Sequence, residues 1–447
     1  MAALGSIVRS PRALAASIAL AVLLAPAAAG PRDDAELRER IAALLESPAV
    51  SGGETMATAV RRLSEPAEDA ERMLFRIAVE DRTRADAGAP LTSAQRQIVR
   101  EVLGFGNRRR FLASLPRTVR AEGTARARVV AFELIALHGG AADVPLLFEL
   151  AATDGLGAWS RPSGAEAFES TLGSFLAGDE RAFDLLPAPG EMRDDAVLPS
   201  MLRAIGRSGR PRGISVLLDG LEREPRSTGV FLAQLARLSP VAAPAQDEIL
   251  RQSFRTALEH EHEGVRKSAA VHLGRIRDAA AVPALIAMLE TDSSGLRRTV
   301  HWSLERITGL SMRDDPRRRA VWYAEERQWL DTRAAELLDA LGSDDDAAVA
   351  AAAGELSLHP LERDRIAPAI STLLGHESDS LRGIACDCLA QLGSDCVLGA
   401  LLDAMANDAD DVHRRAWRAL GRITGLDLPP DADRWARALQ GWPEASR

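Results

Sequence analysis

The sequence predicts an all-α protein, a right-handed α-solenoid of stacked antiparallel helix pairs. Three observations predict it. Residues 264–310 return without a gap as residues 380–426, at a constant offset of 116. Inside each copy a shorter spacing of 31 residues recurs, from Val265 to Leu296 and from Leu381 to Val412. Hydrophobic residues make up 46% of the 447 positions but aromatics only 4%, so the apolar content is mostly Ala, Leu, Val and Ile. Ala and Leu are good helix formers and poor markers of strands. A short repeat period is the signature of an array. One pair of short helices cannot bury its apolar stripe alone, and stacked pairs share a continuous core.

The first element is an expected export signal at 1–29. Arg9 and Arg12 form a positive n-region, Ala13 to Leu24 a short apolar stretch, and Ala27-Ala28-Ala29 a small-residue cleavage site. Cleavage after Ala29 would start the mature chain at Gly30, in the periplasm or outside the cell. Retention of the segment as an N-terminal anchor is the alternative. No Cys lies near the cleavage site, which argues against a lipoprotein anchor. No other apolar run is long enough to cross a bilayer. Residues 30–124 are expected to form an N-terminal helical region or cap: Leu37, Ile41, Leu44 and Leu45 share a helix face, but the segment fits the repeat less well.

The repeat proper is expected over 125–426, closed by a capping helix in 427–447. Its grammar is clearest at 265–289. Val265, Ala269, Leu273 and Ile276 follow the spacing of one helix face; Asp278 to Ala281 turns the chain; Pro283 sits in the first turn of the next helix, where a missing N–H costs nothing. Leu285, Ile286 and Leu289 are its buried face. In the second copy Leu381, Arg382, Ala385, Leu389, Leu392 and Leu401 stand in register with Val265, Arg266, Ala269, Leu273, Ile276 and Leu285. Leu304 and Arg306-Ile307-Thr308-Gly309-Leu310 repeat as Leu420 and Arg422-Ile423-Thr424-Gly425-Leu426. Upstream, 127–150 aligns at offset 138 and 198–221 at offset 68, with helical pairs also expected at 164–187, 227–258 and 345–374. Gly206 and Gly274 lie where a helix is ending, and Gly309 and Gly425 just past one, where a left-handed residue closes the turn. Asp292 and Asp408 precede helices and favour their positive ends.

The segment VRKSAAVHLGRIRDAAAVPALIAMLETD resembles a HEAT-like repeat of the short kind first described in phycobilisome lyases. The resemblance covers roughly 125–426, and strongly 264–310 and 380–426. It implies an armadillo-type superhelix and is unspecific for activity. The ITGL segments with their following tryptophans are similar to HEAT-repeat proteins of unknown function common in envelope-rich bacteria such as planctomycetes and myxobacteria.

Charge narrows the partners. The formal net charge is −9; residues 1–29 contribute +2, leaving −11 on the rest. An acidic surface disfavours nucleic acid, whose binding draws on neutralised phosphates, and anionic lipid. Lys267 is the only lysine among 55 basic residues, which we read as codon bias rather than selection for guanidinium chemistry.

Each candidate for chemistry has a plainer reading. Six of the seven tryptophans belong to the long copies: Trp302, Trp322, Trp329, Trp417, Trp435 and Trp442. Trp322 with Trp329, and Trp435 with Trp442, are spaced to share a helix face, with Asp315-Pro316 and Asp431 as start signals. They either fold over the end of an adjoining pair or form an aromatic platform for sugar or peptide. Glu259-His260-Glu261-His262-Glu263, matched by His376-Glu377, invites a metal reading, but histidines two apart share no helix face and the segment falls in a turn. Arg108-Arg109-Arg110 and Arg317-Arg318-Arg319 are the dense basic runs, read as solvated or ion-paired faces. Cys386, Cys388 and Cys396 are an odd count; the first two point in different directions on one helix and are poor partners. Gly104-Phe105-Gly106 lacks the third glycine of a dinucleotide fingerprint, and Ser208 in GRSGR lacks the last glycine of a nucleophile elbow.

No catalytic, cofactor-binding or metal residue is therefore assigned, and no cofactor is expected. The expected function is an exported, non-enzymatic scaffold for a protein or peptide partner, with no nucleic acid and no membrane span after signal removal. A carbohydrate- or cell-wall-binding module using the tryptophans is the alternative. Lyase-like chromophore transfer, implied only by the repeat's namesake, conflicts with export.

Overall fold

The computed structural model describes residues 34–46, 67–81, 90–104, 108–152, 162–188, 197–290, 293–311, 315–407 and 410–440. The expected export signal, its cleavage site, Asp292, Asp408 and Trp442 lie outside the described residues. Within them all regular elements are helical, and no helix is long and apolar enough to cross a membrane. The fold is an all-α solenoid of helix pairs.

The chain divides into two compact units, Met1–Val241 and Ala242–Arg447. The first holds α1 (Asp34–Glu46), α2 (Ala67–Glu80), α3 (Ser93–Gly104), α4 (Arg108–Glu122) and α5 (Ala125–His138). It continues with α6 (Val144–Ala151), α7 (Pro162–Gly178), α8 (Val197–Arg207), α9 (Pro211–Arg223) and α10 (Thr228–Leu238). In the second are α11 (Pro244–Ala257), α12 (Glu263–Arg275), α13 (Val282–Ala287), α14 (Ser294–Thr308), α15 (Pro316–Thr332) and α16 (Ala334–Ala340). Then come α17 (Asp346–Leu356), α18 (Arg363–Ser371), α19 (Asp379–Leu392), α20 (Leu398–Asn407), α21 (Asp410–Thr424) and α22 (Ala432–Gln440).

Local signals set the helix starts. Thr124 caps α5 by accepting the N–H of Ala127 at 3.1 Å, and Ser293 caps α14 through Leu296 at 3.2 Å. Asp315 accepts from Arg317 and Arg318 at 3.0 and 3.1 Å ahead of α15. A side-chain oxygen there satisfies backbone donors that have no partner inside the helix. Pro145, Pro211, Pro244, Pro283 and Pro316 sit in the first turns of α6, α9, α11, α13 and α15. Helix ends are equally legible. Gly309 and Gly425 both have φ of 71°, the left-handed geometry that only glycine adopts without strain.

Packing follows the repeat. In the first unit α5 packs on α7, α7 on α8, and α8 and α9 on α10. In the second, α12 packs on α14, α17 on α19, α19 on α21, and α20 on both α21 and α22. The stripe named by the sequence is the core: Val265, Ala269, Leu273 and Leu285 are buried, as are Leu381, Ala385, Leu389 and Leu401. The closest approach is at Gly274. A Cβ there would lie 2.9 Å from the Ser303 Cα, so α12 and α14 touch backbone to backbone. Ser303 is fully buried, and its hydroxyl lies 2.7 Å from the Ala270 carbonyl across that contact.

Candidate functional site

The histidine-rich turn resolves into structure. His260 Nδ1 accepts the backbone N–H of His262 at 3.1 Å, and Arg266 Nη1 donates to the carbonyls of His260 and Glu261, both at 2.7 Å. The second copy repeats it. His376 Nδ1 accepts from the Ser378 N–H at 3.1 Å, and Arg382 Nη1 donates to the carbonyls of His376 and Glu377 at 2.7 and 3.1 Å. A ring nitrogen that accepts a backbone N–H has its lone pair engaged, so it is not offered to a metal. The arginine at the fourth position of α12 and of α19 thus ties the preceding turn to that helix. No group of three metal-ligating side chains occurs among the described residues.

The tryptophans fold inward. Trp435 is fully buried, and its indole N–H donates to the Pro429 carbonyl at 3.1 Å. Trp417 donates to the Leu428 carbonyl at 2.7 Å. Trp417 therefore fastens the segment after Gly425 back onto its own repeat, and Trp435 closes the turn within that segment. Trp329 stacks on the His359 ring, centroids 3.3 Å apart and planes 9° from parallel, and its N–H reaches Glu355 at 3.3 Å. Trp322 is half-buried and Trp302 is 40% exposed. The five described tryptophans do not present one platform: three of them anchor turns through their indole N–H groups or rings.

The other sequence candidates separate in the same way. Arg319 is buried beside His301 at 3.3 Å while Arg317 and Arg318 are exposed, so that basic run is split between inside and outside. Ser208 is buried and donates to the Ile205 carbonyl at 2.6 Å. Lys267 pairs with Glu263 one turn away. Cys386 and Cys388 are buried and Cys396 is exposed. Burial pushes the Cys388 thiol up, away from the reactive thiolate form.

Two polar clusters escaped sequence reading. Glu326 is buried on α15, 2.9 Å from His359 Nδ1 and 3.4 Å from the N–H of Leu361. This acid–imidazole pair has the outline of a catalytic dyad, but it joins α15 to the turn at 359–362 and lies under the stacked Trp329. The second cluster centres on Arg277. Its Nη1 lies 2.9 Å from Asp364 and 3.2 Å from Asp395, and its side chain is 10% exposed. Its φ is 52°, left-handed for a residue with a Cβ, where the second copy has Gly393 at 68°. Arg363 caps the end of α14 by donating to the carbonyls of Arg306 and Ile307. Burial, with Arg277 and Arg306 close by, lowers the Arg363 guanidinium to about 10. The legible clue was the exchange of Gly393 for Arg277 between aligned copies; Asp364 and Asp395 are too distant in sequence to be paired with it.

In the first unit a cavity of about 430 Å³ lies between α2 and α4. Phe75, Phe111 and Leu115 form its floor, and Arg72, Arg110 and Arg117 stand on its rim with Glu71. Beyond it, Arg76 Nε donates to Glu122 at 3.1 Å and ties α2 to the end of α4.

Comparison with known proteins agrees with the repeat. Residues 252–358 and 334–421 match the family described as HEAT repeats. No curated protein matches the chain. Among solved structures, an engineered protein is 16% identical with a TM-score of 0.31, over 87% of this chain and 98% of its own. Kap121p is 14% identical with a TM-score of 0.37, over 94% of this chain and 48% of its own. Kap121p bound to RanGTP gives 13%, 0.37, 93% and 51%. The chain thus spans about half the length of Kap121p. Overlap of that size sets no residue here opposite a particular residue there.

Proposed function

We propose that this HEAT-like repeat protein is an exported, non-enzymatic scaffold that holds a protein or peptide partner. The observation that carries the reading is the repeat array. Each pair buries its stripe against the next, and the outer faces of successive helices form extended surfaces suited to a chain-like partner. The residues that looked chemical in sequence support the same reading. The His260 and His376 turns, Ser208, Trp417 and Trp435 serve caps and turns. Nothing favours the carbohydrate alternative: Trp435, one of the paired tryptophans it would use, is buried.

Two experiments test it. Tagged protein is used as bait against envelope extract, and retained proteins are identified by mass spectrometry. A protein partner retained reproducibly and saturably is the expected result; glycan alone, or nothing, counts against the scaffold. Export is tested by fractionating cells that express the full chain and sequencing the N-terminus of the product. The expected product begins at Gly30 and is found outside the cytoplasm.

A further inference from the structure

We propose that the exposed face of α12 and α14 around Trp302 is the docking site for an acidic peptide segment of the partner. The proposal rests on the scaffold reading and names the chemistry of what is held. Its first support is Trp302 itself. Trp329, Trp417 and Trp435 direct their indole N–H groups to Glu355 and to the carbonyls of Leu428 and Pro429. Trp302 is 40% exposed, and its N–H has no hydrogen-bond partner among the described residues. The fold does not call for an indole at this place. In the second copy Arg418 stands there, exposed, and α21 packs on α19 as α14 packs on α12. An exposed aromatic that neither the core nor a turn uses is the kind of residue that anchors an interface.

The second support is charge. Arg298 lies one turn before Trp302 on the same face of α14. Arg275 lies on that side of α12. A Cβ at Gly295 would meet Lys267, and one at Gly274 would meet Ser303, so the two helices run parallel. At about 100° per residue, the residue after Gly274 and the residue before Ser303 turn to the same side. Arg275 and Arg298 are both exposed, and neither has a hydrogen bond or ion pair among the described residues. In the second copy Arg414, aligned with Arg298, is tied to Asp411, and Gln391 stands where Arg275 does. Glu305, the acid on this face, already accepts from the Ser311 hydroxyl at 2.9 Å. Two unengaged guanidiniums thus flank one indole on a chain of net charge −9. A guanidinium presents a planar fork of donors that matches a carboxylate. Arg298 is about 6 Å along the helix from Trp302. Packed helix axes lie about 8–10 Å apart, and an extended chain rises about 3.3 Å per residue. Acids two residues to either side of an apolar side chain therefore reach both arginines while that side chain lies on the indole, and a peptide carbonyl accepts the indole N–H.

The test uses the full chain and a fluorescein-labelled nonapeptide, Gly-Ser-Glu-Ser-Phe-Ser-Glu-Ser-Gly, read by fluorescence anisotropy. Saturable binding is expected, weakening as salt rises toward the screening regime. Arg275→Gln with Arg298→Gln should weaken it by roughly tenfold or more, as expected for two lost charge-assisted contacts. Trp302→Arg adds a charge and removes the indole, and the second copy shows that the repeat accepts arginine at this position. A loss of about threefold or more is expected from it, which charge alone would not give. Arg418→Gln with Arg422→Gln, exposed and unpaired on α21, should leave binding unchanged. Far-UV circular dichroism and the melting temperature confirm that each variant is folded; should the Arg275 and Arg298 pair not fold, Arg298→Gln alone takes its place, with a loss of about threefold or more expected. No binding of the probe, equal binding by the arginine variant or by Trp302→Arg, an equal loss in the α21 variant, equal binding of a Lys-for-Glu probe, or equal binding of a labelled single-stranded oligonucleotide would each overturn the proposal. The partner capture above separates the two readings. A partner kept equally by the Arg275 and Arg298 variant overturns this site and leaves the scaffold standing. Capture of nothing by the wild type counts against the scaffold, and the probe still decides the site.

Discussion

His272 shows how the repeat treats a polar side chain in its core. It is 6% exposed, tilted against Phe254 with ring centroids 3.9 Å apart. Burial, reinforced by Arg275 and Arg251, lowers its pKa to about 4. In the unfolded chain it titrates near 6.5. The unfolded state therefore takes up a proton first as pH falls, so the stability from His272 is fully present above about 6.5 and is lost progressively down to about 4. Across that window the loss is about 3 kcal/mol. His272→Phe should keep the stack and flatten this part of the profile, checked by guanidinium unfolding at pH 7, 5.5 and 4.5. A wild-type profile unchanged by the substitution would count against the burial. Gly274 makes a second residue-scale case. Alanine there gains up to about 1 kcal/mol of helix propensity, but its Cβ meets the backbone of Ser303 and overpacking costs about 1–3 kcal/mol. Gly274→Ala is thus expected to destabilise, measured by urea unfolding; a more stable variant would show that α12 and α14 can separate without loss.

At the scale of elements, turns carry the specificity and helices the bulk. Arg277 holds a left-handed φ that costs about 1 kcal/mol for a residue with a Cβ, and its ion pairs with Asp364 and Asp395 offset that strain. Arg277→Ala should lose about 1–2 kcal/mol, because part-buried Asp395 loses its partner while Asp364 is exposed and keeps the hydrogen bond from Ser394. Arg277→Gly should lose about 1 kcal/mol less, since glycine accepts the backbone geometry. Urea unfolding of the two variants side by side checks this, and equal losses would remove backbone strain as a contributor. The contrast also marks what a sequence discloses. Helix starts at Asp315 and Pro283 and left-handed ends at Gly309 and Gly425 were legible, because each depends on neighbours within a few positions. The turn role of His260 was legible as a location, and its hydrogen bonds were not. The Arg277 cluster and the Glu326–His359 pair were hidden, since each joins segments whose proximity is decided only when helices pack. The α2–α4 cavity was hidden for the same reason, although Arg108-Arg109-Arg110 flagged one of its walls.

For the molecule as a whole, each unit is a sum of neighbours, and its last pair protects the one before. In the second unit α21 packs on α19 and α20, and α22 on α20. A chain ending at Asn407 would uncover Leu389 and Leu401, which are fully buried in the intact protein. Such a truncation is expected to aggregate and to bind an apolar dye, measured by light scattering and dye fluorescence, whereas a soluble, cooperatively folded product would show that the final helices are dispensable. An array held only by adjacent contacts can form from any point and grow in either direction, because every step closes a short loop. Arg277 departs from that rule: its carboxylate partners arrive 87 and 118 residues later in the chain. The bond cannot form until the intervening helices are in place, so it adds nothing to early folding and is among the interactions broken on the way out. A contact of that kind slows unfolding while leaving the folding rate nearly untouched. The second unit therefore has a lifetime set in part by one side chain, in a fold whose rate of assembly is set by local steps.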